Sequence, residues 1–217
     1  MKVRFWGVRG SIPVPGPSTV RYGGNTSCLE VLGKGGELVI LEAGSGIRSL
    51  GLDLMKRGPL PPIHLFISHT HWDHIQGFPF FVPAYIRGTK IQVRGPVHFV
   101  EEKPLAEAFA IQMRYEFFPV STQELAADIR YEAIKETTFQ VGGITIRTQF
   151  TNHPIRSLGY RLTEGGRTLV YTGDHEPYYN LFEGDAGGDD DPLFGGVDSP
   201  VDDANGRFVE FVRGADV

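Results

Sequence analysis

At 217 residues, with 41% apolar side chains and 15 Phe, the chain is sized for one globular domain with a substantial core, and no run approaches the ~20 apolar residues of a membrane span. Its net charge of −5 is local: "EGDAGGDDDPLFGGVDSPVDD", Glu183 to Asp203, holds eight acids and no Lys or Arg, and removing those eight from the chain's 26 leaves 18 acids against 21 bases. The mildly basic remainder tolerates an anionic substrate, while the absence of an Arg/Lys cluster argues against a dedicated nucleic-acid module.

In chain order, "KVRFWGV", "SCLEVLG" and "ELVILEAG" read as strands, being short, apolar or β-branched, and bounded by glycine. The basic residues of "MKVRFWGVRG" are not followed by an apolar segment, so no secretory signal is expected. Cys28 is the only cysteine, which excludes an intrachain disulfide and suits a reducing cytoplasm. "SGIRSLGLDLMKRG" is predicted helical, with Ser45 as cap, Ile47, Leu50 and Leu54 at helical spacing, and Gly58-Pro59 as terminator. "IHLFIS" and "KIQVRGP" are predicted strands, and "VEEKPLAEAFAIQM" a helix with Pro104 near its first turn. "DIRYEAIK", "GITIRTQF", "SLGYRLTE" and "RTLVYTG" are further strands, the last two joined by a hairpin at Glu164-Gly165-Gly166. "NGRFVEFVRGADV" reads as a short helix followed by the first residues of a strand. Strands with interspersed helices in both halves imply a layered α/β domain with mixed sheets, one domain over 1–217. The acidic stretch, 183–206, is expected as a solvated loop. Asp185, Asp189, Asp190 and Asp191 lack the glycine and terminal glutamate of an EF-hand.

The chemistry concentrates in "HLFISHTHWDHIQG". Residues two apart in an extended chain point the same way, so His69 and His71, leaving a strand, present two imidazoles to one point. Asp73 and His74 follow where the chain turns into a helix and project to an adjacent point. Two neighbouring cations are therefore expected, one at His69 and His71, the other at Asp73 and His74. Imidazole and carboxylate donors suit zinc, with manganese and iron as alternatives.

"HTHWDH" matches the H-x-H-x-D-H signature of the metallo-β-lactamase superfamily, and the chain resembles it over nearly its whole length. "GGNTSCLEV" followed by "VILEAGSGIRSLG" is similar to the opening strands of its phosphodiesterase-like branch, which includes tRNA 3′-processing nucleases and cyclic-nucleotide phosphodiesterases. The resemblance implies an α/β fold of the α+β kind, a four-layer αββα sandwich. It implies His153 of "TNHP" as the third ligand of the first metal and Asp174 of "YTGDHE" as a carboxylate bridging both. His64, His98 and His175 match no ligand position, although His175 adjoins Asp174 and could line the site. Glu42 stands in "LEAG" where relatives carry "LDAG", and one extra methylene in a carboxylate behind the ligands can shift a hydrogen bond to one of them. No histidine follows His175, whereas the family places a last ligand near its C-terminus. A C-terminally incomplete domain, lacking its final strand and helix and with a weakened second metal site, is therefore expected. Exchange of the missing element between two copies would make a homodimer.

By that resemblance two divalent metals acidify a water and stabilise in-line displacement at phosphorus, with Asp73 orienting the water and taking its proton. No G-x-S-x-G elbow is present and Cys28 lies in an apolar strand, so covalent catalysis is disfavoured. The expected function is a metal-dependent hydrolase acting on a small anionic phosphodiester such as a nucleotide, with nucleic acid not favoured. Thioester or ester hydrolysis, and a non-catalytic metal-binding domain, are the rival readings. Asn25, Ser27 and Ser157 are weak candidates for substrate contact.

Overall fold

A computed structural model describes residues 1–96, 104–178 and 200–217, without the side chains of 200–202. The first sheet contains β1 (Lys2–Gly7), β2 (Cys28–Leu32), β3 (Leu38–Leu41), β4 (Ile63–Phe66), β5 (Lys90–Pro96) and β6 (Asp128–Ile134), adjacent in that order. Its first three strands are antiparallel and β3 to β6 parallel. The second sheet is antiparallel, in the order β10 (Arg167–Tyr171), β9 (Ser157–Glu164), β8 (Ile144–Thr151) and β7 (Thr138–Val141).

Period-two alternation divides one apolar run between two cores. On β3, Leu38 and Ile40 face a core completed by Ile47, Leu50 and Leu54 of α1 (Gly46–Leu54) and by Leu105 and Phe109 of α3 (Leu105–Gln112). Val39 and Leu41 turn the other way, onto Ile144, Ile146, Leu158, Tyr160 and Leu162 of the second sheet. Because both faces are covered, "LVIL" is buried throughout, as a strand with neighbours on each side must be. Helices against one sheet and a second sheet on its other face yield the expected layered α/β architecture.

Most predicted elements are present, with local differences. Ser45 does not cap α1; its hydroxyl instead accepts from the Thr26 amide at 2.9 Å and donates to Asn25 Oδ1 at 3.2 Å, tying the helix start to the chain entering β2. Pro104 is the residue immediately before α3, near its first turn as expected. Gly165 and Gly166, at φ 56° and 77°, close the two-residue hairpin between β9 and β10, the left-handed pair that such a turn requires. Residues 183–199 of the expected acidic loop, with all four EF-hand candidates, lie outside the described residues. The expectation of a loop fails at 200–206, which belong to α4 (Pro200–Val212). After α4 the tail lies beside β10: the Asp216 amide donates to Thr168 O at 2.8 Å and the Val170 amide to Val217 O at 2.8 Å.

Gly44 holds the site's backbone together. A Cβ there would meet the Asp73 carbonyl at 2.4 Å, Thr26 Oγ1 at 2.5 Å and Ser27 O at 2.6 Å, two of these being backbone atoms unable to yield independently. Gly44→Ala is therefore expected to destabilise by about 1–3 kcal/mol through overpacking, read as a lowered thermal midpoint. An unchanged midpoint would show that this approach relaxes freely.

Candidate metal centre

Strand β4 ends at Phe66, and the chain then delivers His69 and His71 before α2 (Trp72–Ile75) begins. Asp73 and His74 lie on that single turn and are buried, and the Asp73 carboxylate Oδ2 accepts the Ser11 amide at 2.8 Å. His153 arrives from the loop after β8 and Asp174 from the segment after β10, so both sheets contribute.

Two donor sets result. In the first, His69 Nε2 and His153 Nε2 each lie 3.0 Å from His71 Nδ1. His71 Nδ1 thus faces two imidazole nitrogens, near the roughly 3.3 Å that separates nitrogens bound at ~2.0–2.1 Å around a tetrahedral zinc. In the second, His69, His74 and Asp174 have ligand atoms within 4.8 Å of one another. Asp73 Oδ2 and Asp174 Oδ1 each stand 3.5 Å from His74 Nε2, while Asp174 Oδ2 is 3.9 Å from His69 Nε2 and 4.0 Å from His153 Nε2. Among the described residues Asp174 is thereby the one carboxylate turned toward both sets, and its side chain is half exposed. The six residues expected as ligands are brought together, with His69 shared between sets where the sequence assigned it to one.

The electrostatics prepare the two sets differently. Burial, followed by the neighbouring imidazoles of His74, His153 and His71, pushes His69 down to about 2, so it is neutral and able to donate a lone pair. Ser68 Oγ lies 2.9 Å from His69 Nδ1; with Nδ1–H donating to it, Nε2 is left to face the cluster. Burial also opposes a charge on His74, but Glu42, Asp73 and Asp174 outweigh it and push this imidazole up to about 9. Filling the second set must therefore release a proton, and its affinity rises with pH.

Glu42 occupies a left-handed backbone conformation at φ 70° and is fully buried. Its Oε1 accepts the Ser68 amide at 3.0 Å, and its Oε2 stands 3.3 Å from His74 Nδ1. That approach brings opposite charges together without hydrogen-bond alignment, leaving Glu42 Oε2 and both His74 ring nitrogens buried without a hydrogen-bond partner. Buried polar atoms are rarely left so, and His74 Nε2 points among carboxylates. The donor set fits a divalent cation at that position. Glu42→Gln, which removes the charge behind His74, is expected to weaken metal binding at the second set about 10–100-fold in calorimetric titration. Unchanged affinity would show that Glu42 does not orient His74.

Of the weak substrate candidates, Asn25 is held by the framework, whereas Ser157 is closed off with its Oγ unpartnered. Asn25 accepts from Ser45 and donates to Trp6 O at 3.5 Å. Ser157 is fully buried, close under Gly173, and contrary to expectation is not presented to a substrate. Ser27 is half-buried beside Tyr171. His175 does not line the site: its Nδ1 accepts the Asn152 amide at 3.1 Å and its ring stacks on Phe208 of α4 at 3.6 Å. His64 lies 3.2 Å from an Arg94 guanidinium nitrogen, and His98 is outside the described residues. Ser11 was not anticipated, because its contact with Asp73 spans 62 positions and involves only its backbone.

A family model described as "Beta-lactamase superfamily domain" matches residues 39–188. The ribonuclease Z of Thermococcus kodakarensis is 28% identical over 151 residues, 69% of this chain and 45% of that protein. The chain spans about half the length of the curated relatives it matches. Among solved structures, the metallo-β-lactamase fold protein YhfI from Bacillus subtilis aligns with TM-score 0.55 at 21% identity, over 82% of this chain and 63% of that one. The short form of human tRNase Z aligns with TM-score 0.54 at 22% identity, over 80% and 69%.

Proposed function

The chain belongs to the metallo-β-lactamase superfamily, and from that premise we propose that it is a metal-dependent phosphodiesterase. The observation that carries the reading is the pair of adjoining donor sets, three imidazoles beside His74 and Asp174, with Asp73 held at their edge. Divalent cations bound there, with zinc the first choice by donor type, would lower the pKa of a water toward ~7 and offset charge on phosphoryl oxygens.

The chain's own residues supply the rest. The Ser11 amide donates to Asp73 Oδ2, the oxygen that also faces His74 Nε2, so this carboxylate keeps one orientation and can align a water and accept its proton. His69 is neutral at physiological pH and needs no proton released before it donates. His153 and Asp174 come from the second sheet, so closure of the sandwich assembles the centre and sets its spacing.

Ribonuclease Z relatives bring RNA back as a substrate class beside the small anionic phosphodiester expected from the sequence. No described helix is long and apolar enough to cross a membrane. The test is an assay of zinc- or manganese-loaded protein against bis-p-nitrophenyl phosphate, cyclic nucleotides, a 3′-extended tRNA precursor and a thioester panel. Turnover of any phosphodiester with none of thioesters supports the reading; thioester turnover alone overturns it.

A further inference from the structure

We propose that Trp72 is a platform that receives a nucleobase of the substrate and so places the adjoining phosphodiester over the metal-ligand cluster. The inference rests on the phosphodiesterase reading and adds to it the residue that positions the base of a nucleotide substrate.

Trp72 lies between two residues of the cluster, His71 and Asp73. On the single turn of α2, Asp73 and His74 turn inward and are buried, and the residue before them turns outward. Its indole is 71% exposed, and among the described residues it has no aromatic or cationic ring partner. One exposed tryptophan is unremarkable alone. The neighbouring chain makes it specific. The Ser11 amide bonds to Asp73 Oδ2, so the loop carrying Ile12 is fixed against the residue next to Trp72, and Ile12 is itself 60% exposed.

Two exposed large apolar residues, each next in sequence to a partner of the hydrogen bond that joins positions 62 apart, thus adjoin the polar donor cluster. The supporting backbone is held: the Val8 and Arg9 amides donate to Asn25 O at 3.1 and 3.0 Å, and the Val14 amide to Gly24 O at 2.9 Å. A ligand matching this surface has a flat apolar group directly attached to an anionic one. A nucleobase on a nucleoside phosphodiester has that form, its π-face on indole and its phosphate toward the cations. Substrates lacking the base would reach the same donors without using the ring.

The test compares two esters with the same leaving group, thymidine 5′-(p-nitrophenyl phosphate) and methyl p-nitrophenyl phosphate, on zinc-loaded protein. Trp72→Ala is expected to raise KM for the thymidine ester about 5- to 150-fold, the range of base stacking on an aromatic ring. It should change KM for the methyl ester less than about twofold, and Trp72→Phe should retain most of the preference. A second readout needs no turnover. Thymidine 5′-monophosphate should quench tryptophan fluorescence in wild type and in Trp6→Phe, but not in Trp72→Phe, since the chain has only these two tryptophans. Equal effects of Trp72→Ala on both esters, or quenching that survives Trp72→Phe, would overturn the proposal. If neither ester is turned over, the phosphodiesterase reading falls, while quenching that depends on Trp72 still supports the platform.

Discussion

Replacing His69 with alanine is expected to abolish turnover and to lower the metal content of both donor sets. Its Nε2 stands 3.0 Å from His71 Nδ1 and also lies with His74 and Asp174, so one substitution removes a donor from each group. Loss of a partner merely behind a metal ligand costs about 10–100-fold in affinity or activity, and loss of the ligand itself should exceed that. The stability effect should depend on metal. Metal at 100 times its dissociation constant stabilises the folded state by about 2.7 kcal/mol, and the variant forfeits much of this. In chelator the two proteins should melt closely together, because burying an imidazole among three others is not itself favourable. Melting curves with zinc and with chelator, together with metal analysis, check both halves. Equal metal content in wild type and variant would remove His69 from the ligand set.

Exchanging Asp73 for asparagine is expected to separate binding from catalysis. The amide oxygen can still accept the Ser11 N–H, so the loop stays in place, but the group can neither take up a proton nor carry charge to a cation. Turnover should fall roughly 10²–10⁴-fold, the span of a lost general base, with a smaller change in KM. Metal at His69, His71 and His153 should be retained, since none of those side chains is altered. Wild-type turnover would show that Asp73 neither orients nor deprotonates the nucleophile.

What the chain reveals along its length is largely what depends on local periodicity and on residues close in sequence. "LVIL" and "IHLF" announce buried strands by composition, and Gly165-Gly166 announces its hairpin because only such residues adopt left-handed φ cheaply. Histidines two apart leaving a strand converge for the same reason, so His69 and His71 are legible without a structure. Ser45 misleads because its hydroxyl has two competing uses, and the contact with Thr26 and Asn25 replaces the helix cap. The helical start of residues 200–206 is missed since "PVDDANG" continues the acidic Gly/Asp/Pro stretch and holds Pro, Asn and Gly, weak helix formers.

By itself, then, the sequence determines the local elements and the nearest four donors, His69, His71, Asp73 and His74. Resemblance extends that set to His153 and Asp174. Only the tertiary structure decides that those last two arrive from the second sheet, that His69 is shared, and that Glu42 stands behind His74 at 3.3 Å. It alone places the Ser11 amide on Asp73 and leaves Ser157 buried. The physical reason is range. Side-chain direction within an element follows from backbone geometry over a few residues, whereas these contacts depend on how two sheets close on their shared core, and on the burial and charge that closure imposes.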